Sequence, residues 1–111
     1  MNLAVIGAGY VGLTTAICLA SQNHRITIFD IDDEKIKQIQ NKKLPFFENG
    51  LQEILENVIS SNNLIPVTNL NELVQNTDGC FICVGTPTKD NSIDLTQIIS
   101  SVESLADTIN E

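Results

Sequence analysis

The first twelve residues of this 111-residue chain carry its strongest chemical signal. Gly7-Ala8-Gly9-Tyr10-Val11-Gly12 follows the spacing G-x-G-x-x-G, which suits a turn that leaves a strand and opens a helix. In such a turn Gly7 permits the tight reversal, Gly9 leaves no side chain in the path of a pyrophosphate, and Gly12 lets helix and strand pack closely. The N–H groups of Tyr10 and Val11, at the positive end of the helix dipole, would then hold a diphosphate without any lysine. A carboxylate follows at Asp30, 18 residues beyond Gly12. It can accept hydrogen bonds from ribose hydroxyls and would repel a 2′-phosphate, so the pattern predicts NAD in preference to NADP. Two plainer readings stand beside this one: a structural glycine turn with no ligand, and Asp30 as an ordinary loop or cap acid. Gly12 and Ala16 also suit a flavin dinucleotide.

These residues need strands and helices in a fixed order to bring them together. Leu3-Ala4-Val5-Ile6 is a continuous apolar run closed by glycine, as expected of a strand covered on both faces. A helix is predicted from about Val11 to Gln22, a second strand over Arg25 to Phe29, and a helix near Asp33 to Asn41 with Asp32 as its N-cap. Leu51, Ile54, Leu55, Val58 and Ile59 mark one face of a further helix, and Leu64 to Thr68 reads as a third strand. Pro66 assigns that strand to an edge. Asn69 and Glu72 resemble a capping box, Gly79 to Val84 is the fourth and most apolar strand, and Asp94 with Gln97 can open a last helix. Strands alternating with helices predict an α/β domain with a Rossmann-type doubly wound parallel sheet, strand order 3-2-1-4. A complete fold of this type has about six strands. Residues 1–111 are therefore expected to form one nucleotide-binding domain that is truncated after the helix following strand four.

Composition narrows the partners. Fourteen acidic and six basic residues give a net charge of -8, which repels a phosphate backbone, so nucleic acid is not an expected partner. Apolar runs are strand-sized, and the chain enters its first strand without a basic or cleavable leader, so neither membrane nor export is expected and a cytoplasmic address is. Cys18, Cys80 and Cys83 are an odd count in such a setting, and all three are expected to be packed thiols. Cys80 and Cys83 fall three apart within a strand, where alternation sends them to opposite faces; neither a metal site nor a redox pair is predicted.

From Asn2 to Asp94 the chain resembles the N-terminal domain of the UDP-glucose/GDP-mannose dehydrogenase family. The resemblance rests on Val5 through Leu13, on Asp30-Ile31-Asp32 with Lys35, on Gly50-Leu51, and on Val84-Gly85-Thr86-Pro87 with Asp94-Leu95. It implies NAD-dependent oxidation of a nucleotide-sugar C6 alcohol to a carboxylate, with two NAD consumed and a cysteine holding thiohemiacetal and thioester intermediates. UDP-glucose is the expected substrate of the parent enzyme; GDP-mannose, an N-acetylated UDP-sugar, and a stand-alone nucleotide-binding module are the alternatives. Carried over by position, Tyr10 and Val11 would contact the pyrophosphate, Asp30 and Lys35 the adenosine ribose region, and Thr86 the cofactor beside the fourth strand. Lys35 reads equally well as a solvated helix residue, and Thr86 as a turn residue. The resemblance places the catalytic residues, the sugar-binding domain and the long helix of a homodimer downstream, so no residue of this chain is assigned to catalysis. Glu48-Asn49-Gly50-Leu51 departs from the family in having asparagine where proline is common, which predicts a local change of turn and intact cofactor binding.

Overall fold

The computed structural model describes residues 1–74, 77–83, 88–89 and 92–93. Strands β1 (Asn2–Ile6), β2 (Arg25–Phe29), β3 (Leu64–Val67) and β4 (Gly79–Ile82) form one sheet in the order β3-β2-β1-β4. Every pairing in it is parallel. Helices α1 (Tyr10–Ala20), α2 (Asp33–Gln40), α3 (Leu51–Ser60) and α4 (Leu70–Val74) make the connections. A short antiparallel ribbon of β5 (Thr88–Lys89) and β6 (Ser92–Ile93) follows, which the sequence did not suggest. The last helix expected after Asp94 and the Val84 to Pro87 loop lie outside the described residues.

Side-chain alternation along the strands sorts the core into two layers. Val5, Ile26, Ile28 and Leu64 join Leu13 and Ile17 of α1, Ile36 and Ile39 of α2, and Leu55 and Val58 of α3. Ala4, Ile6 and Val67 point the other way, against Leu73 of α4. Helices therefore cover both faces of the sheet, which is why β1 carries no polar residue beyond Asn2. Pro66 is tolerated because β3 is an edge strand among the described residues, paired with β2.

Helix ends follow local chemistry. Asp32 caps α2 by accepting from the Lys35 N–H at 3.3 Å, and Asp33 and Glu34 add negative charge to its first turn. Asn69 caps α4, but through the N–H of Asn71 at 2.7 Å; the expected reciprocal box with Glu72 reduces to a backbone bond from the Glu72 N–H to the Asn69 carbonyl.

The cysteines are not packed as expected. Cys18 and Cys80 are exposed and Cys83 is half-buried. Cys18 lies on the outer side of α1, beside the buried Ile17. As the order 3-2-1-4 requires, the apolar strand β4 borders the sheet, with β1 as its neighbour among the described residues, and Phe81 remains 44% exposed. Partial burial of the sulfurs, and for Cys80 the neighbouring Cys83, pushes the thiols of Cys80 and Cys83 above the ordinary cysteine value. Neither is an activated nucleophile. Among the described residues no group of His, Cys, Asp and Glu side chains is placed to hold a metal, and no helix is long and apolar enough to cross a membrane.

Candidate functional site

Parallel pairing brings three strand ends to one edge of the sheet. Ile6 is in register with Phe29 on one side and with Ile82 on the other. The residues that follow each strand, Gly7, Asp30 and Cys83, therefore meet at that edge. The Gly7 N–H donates to the Phe29 carbonyl at 2.8 Å and the Cys83 N–H to the Ile6 carbonyl at 2.7 Å. The chain runs β1 to β2 to β3 in one direction and returns to place β4 on the far side of β1, so the crevice lies at the topological switch point where open α/β sheets bind ligands.

Each glycine of the turn has a measurable reason to be there. Gly7 has φ 105°, a left-handed conformation that side chains resist. A Cβ on Gly12 would sit 1.9 Å from the Gly7 carbonyl oxygen and 3.1 Å from the Cβ of Cys83. Gly9 is different: its φ of -76° suits any residue and a Cβ there would meet nothing within 4 Å. The first and third glycines serve the fold, whereas the second faces open space.

The start of α1 is correspondingly bare. Gly9, as N-cap, offers no side-chain bond, and no acid stands in the first turn, in contrast to α2 with its Asp32 cap and two acids. Helix N-termini leave their first N–H groups without intrahelical partners, and among the described residues no side chain caps this one. An anion at this point would meet those donors and the positive end of the helix dipole.

Asp30 closes the other side. Its Oδ2 accepts from the Ala8 N–H at 2.7 Å and its Oδ1 from the Asp32 N–H at 2.8 Å. The carboxylate thus ties the glycine turn to the turn after β2 while each oxygen retains lone-pair capacity for a further donor. Asp30 is both the loop acid of the plain reading and a carboxylate presented within one residue of the glycine turn. Lys35 stands in the first turn of α2, half-buried, with its N–H committed to the Asp32 cap. Thr86 lies outside the described residues.

One part of the site went unread in the sequence. Tyr10, the first residue of α1 and 55% exposed, donates its hydroxyl to Glu48 Oε2 at 3.1 Å and packs its ring on Phe46, with centroids 5.1 Å apart. The Glu48 carboxylate, first as acceptor and then as a charge opposing the phenolate, holds the Tyr10 phenol above its ordinary value of 10.0. Gln52 fixes the base of the same loop, accepting from the Leu44 N–H at 2.9 Å and donating to the Lys42 carbonyl at 2.6 Å. The loop encloses an open cavity of about 520 Å³ lined by Leu44, Pro45, Phe46, Phe47, Glu48 and Asn49. The Pro45-Phe46-Phe47 run, apolar yet between two helices, was the available hint.

Residues 1–111 match the NAD binding domain of the UDP-glucose/GDP-mannose dehydrogenase family along their whole length. The chain belongs to that family. Relatives include the GDP-mannose 6-dehydrogenase of Pseudomonas syringae pv. syringae, 42% identical over 82% of this chain and 21% of that protein. The UDP-glucose 6-dehydrogenase of Rickettsia typhi is 37% identical over 100% of this chain and 26% of that protein. A crystal structure of a ternary complex of GDP-mannose dehydrogenase from Pseudomonas aeruginosa superposes with a TM-score of 0.95 at 34% identity, covering 100% of this chain and 26% of that one. The chain thus spans about a quarter of the length of these family members. NAD fits the residues present: a bare helix start, a glycine whose Cβ position is open, and a carboxylate beside both. Family members named for different sugar nucleotides match this stretch to similar degrees, as expected where the stretch serves their common cofactor.

Proposed function

We propose that residues 1–111 are the NAD-binding domain of an NAD-dependent nucleotide-sugar 6-dehydrogenase that takes UDP-glucose, and that the chain itself turns nothing over. The observation that carries the reading is the open face at Gly9 beside the bare N-terminus of α1, with Asp30 bonded to the adjoining Ala8 N–H. In this reading the Tyr10 and Val11 N–H groups hold the diphosphate, with Gly7, Gly9 and Gly12 shaping the turn. Asp30 accepts from the adenosine ribose hydroxyls, Lys35 borders that ribose, and Thr86 lies along the cofactor. Bound NAD supplies the hydride acceptor, one per two-electron step, for oxidation of the sugar's C6 alcohol to a carboxylate. This chain's residues bind and orient; the groups that attack the sugar and read its identity belong to the parent protein's other domains. We place that parent in the cytoplasm as a homodimer, a reading supported by the family resemblance and by the exposed Phe81 on the border strand β4.

Calorimetric titration of the chain with NAD and NADP tests the cofactor assignment. Asp30 predicts that NAD binds more tightly by about tenfold or more, since a buried or half-buried like-charge contact costs at least about 1.4 kcal/mol. Equal or tighter NADP binding would refute it. Assay of the parent protein with UDP-glucose, GDP-mannose and N-acetylated UDP-sugars decides the substrate; NADH formation with UDP-glucose alone is the expected result, and turnover of another sugar alone would transfer the assignment to that sugar.

A further inference from the structure

Helix α1 begins without a cap, yet its first turn must be rigid if its N–H groups are to grip an anion. Gly9 contributes no side-chain bond, and acids that could serve in its place are missing from the first turn. The tie comes from the helix's own first side chain. Tyr10 reaches away from the helix to Glu48, 38 residues later, with a hydroxyl-to-carboxylate bond of 3.1 Å, and its ring rests on Phe46. Glu48 is itself fixed, because its carbonyl accepts from the Leu51 N–H at the start of α3 and Gln52 of α3 anchors the loop base at two points. The arrangement secures α1 from outside and leaves the N–H face free. A conventional acidic cap at Gly9 would occupy those donors and oppose a diphosphate with its charge.

We propose that Glu48 and Phe46 are positioning residues for the NAD site, acting through the Tyr10 side chain to hold the first turn of α1 in its diphosphate-binding conformation. The inference rests on the cofactor reading above. Affinity for a ligand is reduced by the fraction of molecules in which the binding conformation is lost, so releasing the tie weakens NAD without removing any atom that touches it.

The test compares the parent chain with Tyr10→Phe, Glu48→Ala, the double variant and Glu48→Gln by calorimetric titration of NAD. The hydrogen bond predicts that Tyr10→Phe and Glu48→Ala each weaken NAD about two- to tenfold, and that the double variant is no weaker than either single one. Glu48→Gln keeps an oxygen acceptor for the phenol and restores binding to within about twofold of the parent. Tyr10 is the sole tyrosine and the chain has no tryptophan, so its emission reads the tie directly without ligand. A carboxylate-bonded phenol is quenched, and Glu48→Ala is expected to brighten it. Both side chains lie at the surface, so thermal melts by circular dichroism should retain a cooperative transition in every variant. Unchanged NAD affinity in Tyr10→Phe and Glu48→Ala, additive losses in the double variant, or a Glu48→Gln as weak as Glu48→Ala would each overturn the inference while leaving the cofactor reading intact. A parent chain that binds no NAD would overturn the cofactor reading and this inference with it.

Discussion

At the scale of single residues, the three glycines of one motif are separable by what a methyl group would meet. Gly12→Ala drives a Cβ into the Gly7 carbonyl, so it should lower unfolding free energy by about 1–3 kcal/mol or more, measured by urea denaturation. Gly9→Ala places its methyl in open space on an ordinary backbone and should leave the denaturation midpoint unchanged while weakening NAD by about tenfold or more. Equal loss of stability in the two variants would show that the turn is structural throughout. Tyr10 yields a prediction in pH. Its folded-state pKa lies above the unfolded value, so the Glu48 bond contributes stability below about pH 10 that is lost as the pH rises through the folded value. Absorbance of the single phenolate should titrate above 10.0 in the parent and shift downward in Glu48→Gln, in which the opposing charge is gone. The structural roles of Gly7 and Gly12 were legible from their spacing. The Tyr10 to Glu48 bond was not, because a contact across 38 residues leaves no periodicity to read.

At the scale of elements, helix ends show both what local chemistry dictates and where this sequence is unrefined. Helices α2 and α3 close with paired bonds of the same kind: Lys42 to Ile39 and Lys43 to Gln38 carbonyls, then Asn62 to Ile59 and Asn63 to Val58. Each closure needs one left-handed residue, Lys42 at φ 62° and Asn62 at φ 63°. Asparagine adopts that conformation at little cost, and lysine at a larger one. Relief of about 1–2 kcal/mol of backbone strain outweighs the roughly 0.4–1 kcal/mol that glycine adds to unfolded-chain entropy. Lys42→Gly should therefore stabilise the chain by about 0.5–1 kcal/mol in urea denaturation, and a destabilised variant would mean that the lysine side chain contributes packing of its own. Strands β1, β2 and β3 and the Asp32 cap were readable because alternation, β-branching and capping chemistry act within a few residues. The exposure of Cys80 was misread because a small thiol within an apolar run looks the same whether its side of the strand is covered or open. The β5 and β6 ribbon, two residues a side, is too short to carry a pattern.

At the scale of the whole molecule, the fold makes one edge of a parallel sheet into a site by bringing the ends of β1, β2 and β4 into register. The order β3-β2-β1-β4 was deducible from alternating strands and helices, since right-handed crossovers leave few other arrangements. With a net charge of -8 and no basic cluster beside the turn among the described residues, the proposed anion site relies on backbone donors and a helix dipole. The central claim is that NAD lies across the turn from Gly7 to Gly12 with its ribose against Asp30. Amide chemical-shift mapping on the isotope-labelled chain during NAD titration tests it most directly. The account predicts saturable shifts concentrated at Ala8 through Gly12 and at Asp30 to Asp32, with the far end of the sheet at Asn2, Arg25 and Leu64 unmoved. Shifts confined to residues away from that turn, or none at saturating NAD, would contradict it.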